Sequence, residues 1–132
     1  MVKVNVLEER IFTKWDSLNK DKQNEWVAEA VMHWRRGNPK RGEYSWISPT
    51  GDYFMSVPNY CTDYNLTMTV AETLRKRFYQ VEISLFKDDY PAITVWENDI
   101  TPAYSSADWN KDLTVQECIC LIALMVEKAV KE

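Results

Sequence analysis

Apolar positions along the chain recur with two periods, and the switches between them outline the elements. Val2, Val4 and Val6 alternate with Lys3 and Asn5, a run too short to predict a strand. From Leu7 the spacing becomes helical. Leu7, Ile11, Phe12, Trp15 and Leu18 share a face, with Glu8, Glu9, Arg10 and Lys14 opposite, which predicts an amphipathic helix over about 7–18. After the polar stretch 19–24, Trp26, Val27, Ala30, Val31 and Trp34 form a second helical stripe, ended by Gly37, Asn38 and Pro39. Between 43 and 57 the period is two: Tyr44 and Trp46, then turn-forming Ser48-Pro49-Thr50-Gly51-Asp52, then Tyr53, Phe54 and Met55. That is the pattern of a hairpin. Leu66, Val70, Leu74 and Phe78 repeat every four residues and predict a helix over about 63–78, its first turn capped by Thr62 or Asp63. Val81, Ile83 and Leu85 alternate with polar residues, and beyond the turn at 87–91 the β-branched and aromatic segment 92–97 completes a second hairpin.

Residues 98–113 show no period and contain Pro102, two serines and several turn-formers, so they are expected to form one long loop. Thr114-Val115-Gln116-Glu117 has the form of a capping box, and the apolar run behind it predicts a final helix over 115–130 with no polar face. Leu121, Ile122 and Met125 should be inaccessible, and such a helix needs cover on two sides. The expected fold class is α+β, in the order α-α-ββ-α-ββ-α, with an antiparallel sheet of about four strands (44–48, 53–57, 79–86 and 92–97) and helices packed on it.

Size and charge narrow the function. At 132 residues with 45% apolar composition, the chain is suited to one core. The six tryptophans, seven tyrosines and four phenylalanines exceed what such a core needs, so some should line a surface. A net charge of -4 provides no field for DNA. Three cysteines without secreted-scaffold spacing, and no leader pattern, indicate a reducing cytoplasm. The longest apolar run, 118–126, covers less than half of a bilayer core about 30 Å thick, so no membrane association is expected.

Three segments together resemble a known family. Trp26-Val27-Ala28-Glu29-Ala30-Val31-Met32, the motif Pro58-Asn59-Tyr60-Cys61-Thr62-Asp63 and Ile119-Cys120-Leu121-Ile122-Ala123-Leu124 are similar to the phage ABA sandwich domain. The resemblance covers about 25–130 and divides the chain into an amino-terminal helical extension, 1–24, and a sandwich-like domain, 25–132. It implies a helix, sheet, helix layering and a phage or prophage origin, and so a place in the cytoplasm of a bacterial host. It brings no catalytic residues.

Few residues are candidates for chemistry. Cys118 and Cys120, two apart on a helix, point in different directions and make no metal site. His33 could act as a base for a serine or for Cys61, or simply sit at a helix carboxyl end. Three glycines cannot build a phosphate loop or dinucleotide fingerprint, and Asp88-Asp89 and the Asp108/Asp112 pair belong to turns or loops. No catalytic residue, metal or cofactor is predicted.

Two constellations remain. Arg35, Arg36, Lys40 and Arg41 lie beside Trp34, Tyr44 and Trp46, and either bind a phosphorylated molecule or neutralise a helix end, as do Arg75, Lys76 and Arg77. The start of the 63–78 helix, with Tyr60, Thr62 and Asp63, is either an anion site or a simple cap. The expected ligand residues are therefore Arg35, Arg36, Arg41, Tyr44, Trp46, Tyr60, Thr62 and Asp63.

Residues 87–117 hold two lysines against seven acidic side chains, and Tyr104, Asp108 and Trp109 there are candidate protein contacts. The leading expectation is a non-enzymatic phage accessory protein that sequesters a host-derived small molecule, a nucleotide immune signal by analogy. The alternative is a module that docks on a host or phage protein through the acidic aromatic loop, and a small enzyme is the third reading. The apolar stripe of the first helix, at about 1.5–3 kcal/mol per buried side chain, must dock on its own domain or on a second subunit. A homo-oligomer through that helix is expected.

Overall fold

A computed structural model describes residues 6–130; Val2 and Val4 of the opening alternation lie outside the described residues. The chain runs α1 (Val6–Ser17), α2 (Lys20–Ala30), β1 (Arg35–Arg36), a single 3-10 turn (Pro39–Arg41), β2 (Trp46–Ile47), β3 (Tyr53–Phe54), α3 (Tyr64–Arg77), β4 (Gln80–Ser84), β5 (Ala92–Trp96), β6 (Pro102–Ser105) and α4 (Val115–Val126). This is the α+β class expected from the sequence.

Helix α4 is the centre. The Thr114 hydroxyl accepts from the Glu117 N–H at 3.1 Å and the Glu117 carboxylate accepts from the Thr114 N–H at 3.1 Å, so the capping box forms as read. Every residue from 118 to 126 is buried, and Leu121, Ile122 and Met125 are fully inaccessible. Helices α1, α2 and α3 and strand β5 all pack on it.

The α1 stripe is one of those covers. Ile11 and Trp15 are 0% and 2% exposed, Leu7, Phe12 and Leu18 pack on the same core, and Trp15 meets Trp26 of α2 with ring centroids 6.5 Å apart. The stripe therefore docks on its own chain, which removes the ground on which pairing of two copies through α1 was expected. Ile11 and Trp15 thus belong to the same hydrophobic core cluster as residues of the 25–132 segment.

Three further expectations change. The helical spacing predicts a second helix that runs to Trp34 and ends at Gly37, yet α2 stops at Ala30. His33 takes a positive φ of 63°, and the Trp34 N–H returns to the Ala28 carbonyl at 3.0 Å. The reversal carries Trp34 into the core, where its indole N–H donates to the Tyr60 hydroxyl at 2.9 Å; tertiary packing overrides helical spacing.

Arg35 and Arg36 consequently sit in a strand, not at a helix carboxyl end, and the helix-dipole reading does not hold for them. The expected single sheet is also divided, because β1 pairs with the 46–54 hairpin as one three-stranded antiparallel sheet, while β4, β5 and β6 form another. Gly37 is required at the first: its N–H donates to the Ser45 carbonyl at 2.8 Å, and a Cβ there would strike the Tyr44 carbonyl oxygen.

Finally, 98–113 is not one loop. Asn98 closes a turn by accepting from the Ile100 and Thr101 N–H groups at 3.0 and 2.8 Å, and β6 then pairs with β5, Val95 opposite Tyr104, past an irregularity at Val95/Trp96.

Replacing Ile122 with Asp puts an unpaired carboxylate inside this fully covered helix. The variant is expected to lose its cooperative thermal transition, and a variant that melts cooperatively would contradict the layering around α4.

Candidate functional site

The candidate residues for ligand binding and for protein contact are distributed over three places. In the first sheet the register aligns Arg36, Trp46 and Phe54 in one row and Arg35, Ile47 and Tyr53 in the next. The Arg36 guanidinium lies 4.5 Å from the centroid of the Trp46 ring and pairs with Glu29 at 3.3 Å and Glu25 at 3.6 Å. Its charge is thus already met by two carboxylates of α2, and the Trp46 ring is buried beneath it. Arg41 and Tyr44 do come together, with Gly42, Glu43 and Tyr53, around a shallow recess of about 280 Å³. Arg35 is exposed on the row of Ile47 and Tyr53.

Residues 58–63 act as a clamp between helices. Tyr60 is buried, and burial pushes its hydroxyl above the ordinary tyrosine value, the hydrogen bond from Trp34 acting in the opposite direction. Its carbonyl accepts from the Thr67 hydroxyl of α3 and, at 3.4 Å, from the Cys120 thiol of α4. The Asn24 side chain of α2 accepts from the Cys61 N–H at 2.8 Å and donates to Asn59 at 3.3 Å.

Asp63 is the N-cap of α3, accepting from the N–H groups of Asn65 and Leu66 at 3.0 and 3.4 Å. Those donors at the helix start are therefore engaged, and Thr62 is exposed beside them with its carbonyl accepting from Gln116 at 3.5 Å. Cys61 is buried next to Cys120, whose thiol is raised well above its ordinary value by burial, while His33 is exposed. No hydrogen bond joins His33 to Cys61 among the described residues, so the base-and-thiol pairing is not assembled.

The third place is a recess of about 440 Å³ between the β4–β5 turn and the segment that follows β6. Phe86 and Tyr90 line it from the turn, Trp109 from the opposite side, with Asp89 and Asp108 among them. Its floor is Ser106 and Cys118, both more than nine-tenths buried. The Ser106 hydroxyl accepts from the Ile93 N–H at 2.8 Å, which fastens the floor to β5. Burial pushes the Cys118 thiol up, with a hydrogen bond from Ser106 opposing, so this thiol is held in its neutral form.

Trp109 is fixed from behind by α1. Its indole N–H donates to the Glu8 carboxylate at 3.1 Å, and its ring meets Phe12 edge to face with centroids 5.0 Å apart. Lys111 lies over the other part of this stack, 4.6 Å from the Phe12 centroid. Of the three expected contact residues, Asp108 and Trp109 line this recess. Tyr104 does not: on β6 it packs against Phe78 at 6.2 Å. Phe86, Asp89 and Tyr90 complete the site without having been expected there, since Phe86 reads as the end of the 79–86 strand and 87–91 carries only the signal of a turn.

Arg36→Glu removes the ring contact and sets a third carboxylate beside Glu25 and Glu29. A loss of about 1–2 kcal/mol is expected in denaturant melts, the sum of an exposed cation–π contact and a screened pair. An unchanged midpoint would show that neither the stack nor the pairs contribute to stability.

No helix among the described residues is long and apolar enough to cross a membrane. No curated protein and no solved structure matches the chain. The family comparison is positive: the phage ABA sandwich domain matches residues 25–124, which include the 58–63 clamp, both sheets and most of α4. With that much of its length matched, the chain belongs to the phage ABA sandwich domain family.

Proposed function

We propose that this protein is a non-catalytic phage or prophage accessory protein that works in the cytoplasm of the bacterial host by docking on another protein through the recess of Phe86, Asp89, Tyr90, Asp108 and Trp109. The observation that carries this reading is the convergence of three aromatic side chains and two carboxylates from separate segments on one cavity. Aromatic faces that are held in place contribute contact area at little entropic cost, and Trp109 is held by both Glu8 and Phe12. The recess lies on loops fastened to a rigid core, where binding residues concentrate.

A second reading keeps a specific observation of its own. Arg41, Tyr44 and Tyr53 share the smaller recess, an arrangement suited to a phosphate and a stacked base, so sequestration of a nucleotide immune signal would be located there and not around Arg36 or Tyr60.

One experiment separates the two. Tagged wild-type protein and an Asp108→Lys variant are purified from bacterial cells, the bound proteins are identified, and the small molecules released by denaturation are analysed by mass spectrometry. Docking predicts a stoichiometric protein retained by the wild type and lost from Asp108→Lys. A stoichiometric nucleotide, with no protein that depends on Asp108, would overturn docking in favour of sequestration.

A further inference from the structure

The recess also indicates the chemistry of its occupant, an inference that rests on the docking reading. We propose that it receives a lysine or arginine side chain from a basic segment of the partner.

Charge complementarity carries the argument. Asp89 and Asp108 line the cavity, and neither has a basic partner among the described residues: the ion pairs there join Lys20 to Glu117, Lys22 to Glu25, Arg36 to Glu25 and Glu29, Arg75 to Glu72, and Arg77 to Glu127. The cation in the lining, Lys111, is engaged over the Phe12 ring on the side of α1. The lining thus holds two carboxylates against one cation that is engaged elsewhere, so its field favours a cation and opposes a phosphate or carboxylate.

The walls fit the same occupant. A lysine or arginine has an apolar stem and a charged head, and Phe86, Tyr90 and Trp109 offer surface for the stem and π faces for the head. Phe86 and Tyr90 are 54% and 43% exposed, large aromatic surfaces left in water on the turn. Trp109 cannot swing away from the cavity without breaking its bond to Glu8 and its edge contact with Phe12. A cation entering here meets the Trp109 ring already in position, which lowers the ordering cost of binding.

The test uses the full-length chain labelled with nitrogen-15 and two capped hexapeptides, one alternating arginine with glycine, the other with citrulline in place of arginine. Citrulline keeps the shape and removes the charge. The arginine peptide is expected to shift the Trp109 indole signal and the backbone signals of 106–111. The citrulline peptide should bind at least about tenfold more weakly, as the loss of a charge-assisted hydrogen bond implies. Asp108→Asn is expected to weaken the arginine peptide to the same degree. Asp112→Asn, an exposed acid outside the lining, should leave its affinity unchanged.

Equal binding of the two peptides, equal losses in both Asn variants, or no shift at Trp109 at millimolar peptide would each overturn the proposal. Signals of Trp109 and Arg41 that move together on dilution of the protein alone would assign the recess to a second copy and overturn it as well. A partner lost from Asp108→Lys but not displaced by the arginine peptide would leave docking intact and remove only the basic occupant. Arginine-peptide binding with no Asp108-dependent partner in cells would support the recess chemistry and defeat docking.

Discussion

Burial of α4 around its whole circumference is the constraint on which the other elements depend. A helix whose nine residues from 118 to 126 are all buried has no face to offer water there, so it must be enclosed by several elements at once. The chain meets this need with α1, α2, α3 and β5, drawn from both ends and the middle of the sequence. Helix α1 lies outside the residues that match the family, yet Ile11 and Trp15 are as buried as the family's own core. Its attachment to the domain follows from the unsatisfied surface of α4 as much as from its own apolar stripe.

The larger recess inherits its rigidity from that arrangement. Cys118 is at once the first buried residue of α4 and part of the floor of the larger recess, and Ser106 ties that floor to β5. On the other side, α1 reaches past the core to hold Trp109 through Glu8 and Phe12. The 58–63 motif has a different role. Through Asn24, Thr67 and Cys120 it joins α2, α3 and α4, so its tyrosine and aspartate are spent on the fold and its threonine carbonyl on Gln116. Motif strength and ligand binding are therefore separable here: the most recognisable string in the chain is mainly a structural clamp.

Features encoded locally were legible in the sequence. The capping box at Thr114, the cap at Asp63, the turn at 48–52 and the period of α3 each depend on residues within one or two turns of one another. Elements defined by distant partners were not. Strands β1 and β6 are two and four residues long, carry no alternation of their own, and exist because the chain returns beside β2 and β5. The end of α2 is set by a hydrogen bond between Trp34 and Tyr60, 26 residues apart. Asp108 and Trp109 stood out by composition, whereas Phe86, Asp89 and Tyr90 join them only because two loops meet in space. The α1 stripe announced that it needed cover; only the packing identifies α4 as what it covers.

Native-state hydrogen exchange, read residue by residue, tests the central role of α4 most directly. Amides from 118 to 126 should be the slowest in the chain, exchanging only through global unfolding, and those of α1 around Ile11 and Trp15 should open with the same free energy and the same denaturant dependence. Exchange of α1 through local opening, orders of magnitude faster than α4, would show that α4 stays covered without it and would contradict the account.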